Sequence, residues 1–327
     1  MANRVRAAAG VIALSFAASG GFVDSASAAT ITVRKGADLQ AAIDGASSGD
    51  TIVVKAGTYA PVSLTGRTGL TIQGRGKVVI DGASAQNCLL LTDCQDIKIT
   101  GVTFKDSQDA AVRGVSCEHV TLQRCTVLNA GDEGMDFASC RFVTLDRNKI
   151  DIADDEGIAL SDSSEEQSSD CVVTNNRIRR ADDAGIKVNG SDNVVSKNQI
   201  LDSEGGGVRI EGGARNVVEK NKVMKMDGDG IEVRGAGGNT VGGNIVLKPT
   251  GNGVDVESES NVVTGNIVTK AGQAGIEVDS PNNEVTKNRI TKSGTFDLRD
   301  TTGGTTNTYR ANKAKTLDPS TLSNPKK

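Results

Sequence analysis

The sequence predicts an all-β fold: a single-stranded, right-handed parallel β-helix (a solenoid) of about ten or eleven coils with an N-terminal capping helix. Three observations carry this prediction. A tetrapeptide returns every 22 or 23 residues, side-chain character alternates with period two inside each copy, and aromatic residues make up only 2% of the chain.

The tetrapeptide is Gly-apolar-x-apolar. It reads Gly134-Met135-Asp136-Phe137, Gly157-Ile158-Ala159-Leu160, Gly185-Ile186-Lys187-Val188 and Gly207-Val208-Arg209-Ile210, and continues at Gly230, Gly253 and Gly275. One spacing of 28 residues contains a polar insertion at about Ser163 to Ser168. Fainter copies lie upstream at Ala111-Val112-Arg113 and Cys88-Leu89-Leu90. Two further short strands complete each copy, as in Asn193-Val194-Val195 and Asn198-Gln199-Ile200. Period two excludes a helical repeat. Three such strands cannot enclose a core alone, but coils stacked at about 4.8 Å can. The right hand follows from the crossover rule for parallel strands. With no Trp, 2 Tyr and 6 Phe in 327 residues, the core must be aliphatic and narrow.

The elements follow in chain order. Arg4 and Arg6, the apolar run from Ala7 to Ala18, and Ala26-Ser27-Ala28 read as an export leader over 1–28, cut after Ala28. The expected location is secreted or periplasmic. A cap and first coil occupy 29–60, where Leu39, Ala42, Ile43 and Ala46 share one helical face that can cover the open end of the coil. Repeats fill 61–300. A C-terminal cap and tail over 301–327 follow, with Phe296, Leu298 and Tyr309 closing the far end.

Two asparagine columns, one through Asn176, Asn198, Asn221, Asn244, Asn266 and Asn288 and another through Asn193, Asn216, Asn239, Asn261 and Asn283, read as structural ladders. Cys94, Cys117 and Cys140 fall one per coil and Cys125 takes a ladder place, so stacked thiols and a disulfide between neighbouring coils both remain open. His119, the single histidine, is read at the place of ladder residues such as Asn193.

The residue x of the tetrapeptide points away from the core. Down the stack it reads Arg113, Asp136, Ala159, Lys187, Arg209, Glu232, Asp255, Glu277 and Asp297, and the preceding turns are rich in Asp and Glu. Carboxylates about 5 Å apart repel unless bridged by a cation. A hard oxygen donor set without His or thiolate suits calcium. Solvated turn aspartates are the competing reading. A formal net charge of −4 and almost no stacking surface exclude nucleic acid as a partner, and no apolar run is long enough for membrane insertion. A monomer is expected.

The repeat resembles those of the pectin-lyase-like superfamily over nearly the whole chain beyond the leader, and the opening Leu39-Gln40-Ala41-Ala42-Ile43-Asp44 is similar to the cap of many members. Within it, Asp132-Glu133-Gly134-Met135-Asp136, with Asp109 one coil earlier, resembles the calcium-binding Asp-Asp-Gly-x-Asp pattern of family nine polysaccharide lyases, with Glu133 standing for an Asp. Ala184-Gly185-Ile186-Lys187-Val188-Asn189-Gly190 resembles the segment that carries their lysine base. The resemblance implies calcium held by Asp109, Asp132, Glu133 and Asp136, and β-elimination on a uronic-acid polymer with Lys187 taking the C5 proton. Arg209 on the next coil would steady the developing charge, and this Lys–Arg pair is similar to that of the chondroitinase B and alginate lyase family. The Gly-His-Gly of polygalacturonases and the Asp-Pro-His of mannuronan epimerases are absent. The function expected is action on acidic polysaccharide. The alternative is a non-catalytic glycan-binding or cell-surface β-helix.

Overall fold

The computed structural model describes residues 28–83, 85–163, 166–303, 306–319 and Leu322. The leader read at 1–28 lies outside the described residues apart from Ala28.

Alternating short strands with an apolar inner face wind into a right-handed parallel β-solenoid of about 12 turns. One sheet takes a single strand from each coil, from Val62–Thr65 through Ala184–Asn189 to Leu317–Asp318. The other takes two per coil, such as Val194–Ser196 and Gln199–Leu201, separated by a corner where Lys197 has a φ of 57°. The end coils carry no Gly-apolar-x-apolar signature, which is why the repeat copies alone count slightly fewer. The insertion forms a short antiparallel hairpin between Ile158–Ser163 and Glu166–Gln167.

Inside, Ile186, Val208, Ile231, Val254, Ile276 and Leu298 lie one above another in register and are almost fully buried. The glycine of each copy is required by close approach. A Cβ on Gly185 would lie 2.3 Å from Ile200 Cγ2 and 2.9 Å from the Gly207 carbonyl oxygen. A residue with a side chain at this position would push the sheets apart.

Both asparagine columns are buried ladders. Asn221 shows the pattern: its Oδ1 accepts from the Asn198 backbone N–H at 2.9 Å and its Nδ2 donates to the Val195 carbonyl at 2.8 Å. The Cys125 N–H donates to Asn148 Oδ1 at 2.9 Å, which puts Cys125 in the ladder. His119 is not there. Thr121 pairs with Thr144, Thr144 with Val172 and Val172 with Val194, so Val120 stands at the Asn193 place. His119 instead sits outside, its ring stacked on Phe142 at 4.7 Å. All six cysteines are free and buried, and the Cys117 N–H donates to Cys140 Sγ at 3.3 Å, so the column is one of stacked thiols.

The helix Leu39–Asp44 closes the first end. Asp38 Oδ1 caps it by accepting from the Ala41 N–H, and Leu39 and Ile43 are buried. At the far end Leu298 and Tyr309 are buried, and the Tyr309 hydroxyl donates to Asp300 Oδ2 at 2.6 Å.

Candidate functional site: a carboxylate face

The single-strand sheet and the turn before it bring three columns together. Strand pairing sets Arg113 beside Asp136, then Ala159, Lys187, Arg209, Glu232, Asp255 and Glu277 in order. The last rung differs from the sequence reading. Glu277 pairs with Arg299, not Asp297, because the final turn places Leu298 over Ile276. In the turn, the Asp155 N–H donates to the Asp132 carbonyl and the Asp183 N–H to the Asp155 carbonyl, so these aspartates stack coil on coil. The Gly134 N–H donates to the Glu156 carbonyl, which lays Glu133 and Glu156 on neighbouring rungs of the third column.

Asp109, Asp132 and Glu133 each offer a carboxylate oxygen within 4.8 Å of the others. Among the described residues, no ion pair neutralises any of the three. Burial first, then the neighbouring Asp109, raises the Asp132 pKa. Burial and the charge of Asp136 push Glu133 up to about 7, and its Oε2 is buried without a hydrogen-bond partner.

Asp136 stands apart from this cluster. Only 2% exposed, it accepts from Ser161 Oγ at 2.5 Å and pairs with Arg113 at 3.2 Å. Burial raises its pKa and outweighs both partners. At Asp136 the x position is thus buried rather than solvated, whereas Arg113 and Lys187 at the same position stay partly exposed.

Lys187 and Arg209 are direct neighbours across two strands, with Lys187 two rungs from Asp136. Both are already paired. Lys187 Nζ lies 2.9 Å from Glu156 and 3.5 Å from Glu211. Burial works to lower its pKa, but Glu156, Glu211 and Asp155 outweigh that and hold it above the usual value. Arg209 donates to both oxygens of Asp183 at 2.7 and 2.9 Å and to Glu232 at 3.0 Å. The pairing role of Glu211 was invisible in the repeat pattern. Its only signal is a carboxylate two residues after Arg209, on the same side of the strand.

Two further groups also converge within 4.8 Å, Glu133 with Asp155 and Glu156, and Asp229 with Glu232 and Asp255. In the second of them, Arg209 and Arg234 both pair with Glu232. Asp255 is 7% exposed, and burial together with Asp229 raises its pKa to about 7. An acid whose folded pKa exceeds its unfolded value binds more protons when folded, so stability falls as pH rises from about 4 to 7. Asp255→Asn is therefore expected to match wild type at pH 4 and to be more stable by about 2 kcal/mol at pH 8. Thermal melts at the two pH values check this, and equal effects at both would remove the buried charge as the cause.

No curated protein matches the sequence. Among solved structures, the A-module of the Azotobacter vinelandii mannuronan C-5 epimerase AlgE4 is 16% identical, with a TM-score of 0.72 over 86% of this chain and 91% of that one. A mannuronic acid specific polysaccharide family 6 lyase from human gut microbiota is 9% identical, with a TM-score of 0.62 over 87% and 80%. PfbA, a surface adhesin of Streptococcus pneumoniae, is 11% identical, with a TM-score of 0.50 over 79% and 86%. Identities this low show the fold alone. Residues 165–314 match the family model described as right handed beta helix region, in keeping with the pectin-lyase-like resemblance. Residues 43–221, more than half of the chain, match the model described as periplasmic copper-binding protein (NosD), and the chain belongs to that family.

Proposed function

We propose that this protein is an exported β-helix that acts on acidic polysaccharide by binding it at the carboxylate face through calcium. The observation that carries the reading is the convergence of Asp109, Asp132 and Glu133 within 4.8 Å, with Glu133 Oε2 buried and unpartnered. The donors are hard, oxygen-only and un-neutralised, which fits calcium. These three residues would hold it, while Asp136 is occupied by Ser161 and Arg113. Held by these residues, calcium would supply the positive charge that offsets the stack and attracts a carboxylate of the polymer. The neighbours named for mannuronan epimerisation and for mannuronic acid specific cleavage support a uronate as the polymer.

Copper, named in the family description, does not fit these residues. The one imidazole is exposed and stacked on Phe142. The thiols face the core, where the Cys117 thiol's hydrogen bond to Cys140 and burial push Cys117 up to about 11, far from the thiolate that copper binds.

A second reading, β-elimination with Lys187 as base and Arg209 as charge stabiliser, is favoured by their in-register pairing, with Arg209 also lining a depression of about 210 Å³ together with Arg234, Asp229 and Glu232. It asks more of the site. Lys187 is held as a cation by Glu156 and Glu211 and must release its proton before it can accept one from the sugar.

Retention on immobilised alginate, polygalacturonate and glycosaminoglycan, with calcium or with chelator, tests both. The expected result is retention that calcium strengthens above the level held in chelator, with no rise in unsaturated-uronate absorbance. An absorbance rise that Lys187→Ala abolishes would establish elimination instead. No calcium-dependent retention on any polyuronate would overturn the binding site.

A further inference from the structure

A second charged column lies at a different corner of the coil, where the second strand of the double sheet ends. Its members all have a positive φ: Arg180, Asp202, Lys225, Lys248, Lys270 and Lys292. Backbone bonds fix the register. The Lys225 N–H donates to the Leu247 carbonyl, that of Lys248 to Thr269 and that of Lys270 to Thr291, each acceptor being the residue just before the next lysine. Four exposed lysines therefore stand on consecutive coils at about the strand spacing of 4.8 Å.

Some cations of this chain are compensated across one coil, as Arg180 of this same column is by Asp151, Arg215 by Asp192 and Arg234 by Glu257. Lys225 has Asp202 at 3.5 Å, but Lys248, Lys270 and Lys292 form no ion pair among the described residues. Gly251, Gln273 and Thr295, after Lys248, Lys270 and Lys292, continue the column that upstream holds Asp132, Asp155 and Asp183, whereas the turn after Lys225 keeps Asp227 and Asp229. Like charges this close repel, and among the described residues no ion pair offsets the repulsion at Lys248, Lys270 and Lys292.

We propose that this lysine row is a second, cation-independent binding surface for a linear polyuronate, laid along the solenoid axis. A polymer with one carboxylate per sugar has a charge repeat on the scale of the coil spacing, so successive carboxylates can each meet a lysine. Ile245 and Ile267, exposed and paired in register on the same strands, add an apolar ridge beside the row. A sugar ring can lay its C–H face on that ridge, whereas a bare phosphate chain cannot. The surface is separate from Asp109, Asp132 and Glu133 and does not depend on calcium being bound there.

The test uses the full chain with chelator present, which silences any calcium-bridged contact. Wild type is expected to bind polymannuronate or polygalacturonate with an affinity that falls steeply as salt rises. The variant K248N/K270N/K292N keeps a residue suited to this backbone, since Asn129 occupies the same column at a φ of 59°. It is expected to bind about tenfold more weakly with a shallower salt dependence. Lys197→Asn and Lys287→Asn, at the other corner of the coil, should leave binding in place. Wild type failing to bind in chelator, or the triple variant binding as wild type, would overturn the proposal. Equal affinity for polyphosphate would overturn the assignment to uronates.

Discussion

Asn221→Ala is expected to destabilise the solenoid by about 3–5 kcal/mol, because it strips partners from groups that water cannot reach. Asn221 is 1% exposed. Its Oδ1 serves both the backbone N–H and the Nδ2 of Asn198, at 2.9 and 3.0 Å. Its Nδ2 serves the Val195 carbonyl at 2.8 Å and Asn244 Oδ1 at 3.1 Å. Alanine leaves the Asn198 N–H unsatisfied in the core and strips a side-chain donor from the Val195 carbonyl and from Asn244 Oδ1. Each orphan costs about 1–3 kcal/mol, and a small void adds to it. Lys222→Ala, one residue on and exposed, should change stability by no more than about 0.5 kcal/mol. Coils contact only their neighbours, so hydrogen exchange should quicken first in the coils beside Asn221. A loss below about 1 kcal/mol in denaturant unfolding would mean that the ladder amides are dispensable.

The double variant Asp132→Asn with Glu133→Gln is expected to reverse the order of stability with and without calcium. In chelator it should melt above wild type. Three carboxylates within 4.8 Å repel one another, and two become neutral. With calcium at about one hundred times its dissociation constant, wild type should gain about 2.7 kcal/mol while the variant gains almost none. Magnesium should substitute poorly, since it demands a tighter octahedron than flexible turns supply. Thermal melts in chelator, calcium and magnesium read all three outcomes. An equal calcium shift in both proteins would place the cation elsewhere and remove these residues from the proposed function.

The fold was legible in the letters because a solenoid reuses one environment. Gly-Ile-x-Val returns since each coil needs the same close approach at glycine and the same two inward side chains. The asparagine columns and the place of Cys125 follow from the same repetition. Register at the single-residue level was less legible. His119-Val120-Thr121 looks like Asn193-Val194-Val195, yet strand pairing aligns Val120 with Asn193 and leaves His119 outside. In the last coil, the letters offered Asp297 while pairing selected Arg299. Hydrogen bonds between coils choose the partner, and similarity of letters only approximates that choice.

The sequence by itself determined that this chain winds into stacked coils, that Asp109, Asp132 and Glu133 would fall close together, and that Lys187 and Arg209 would be neighbours. Periodic spacing alone decides those relations, since residues one repeat apart must lie one strand spacing apart. Only the tertiary structure decided the electrostatic state of each group. It buried Asp136 against Ser161 and Arg113, clamped Lys187 between Glu156 and Glu211, and left Lys248, Lys270 and Lys292 without an ion pair among the described residues. The physical reason is that charge state depends on burial and on contacts a few ångströms across the coil, and these are set by how turns fold over strands.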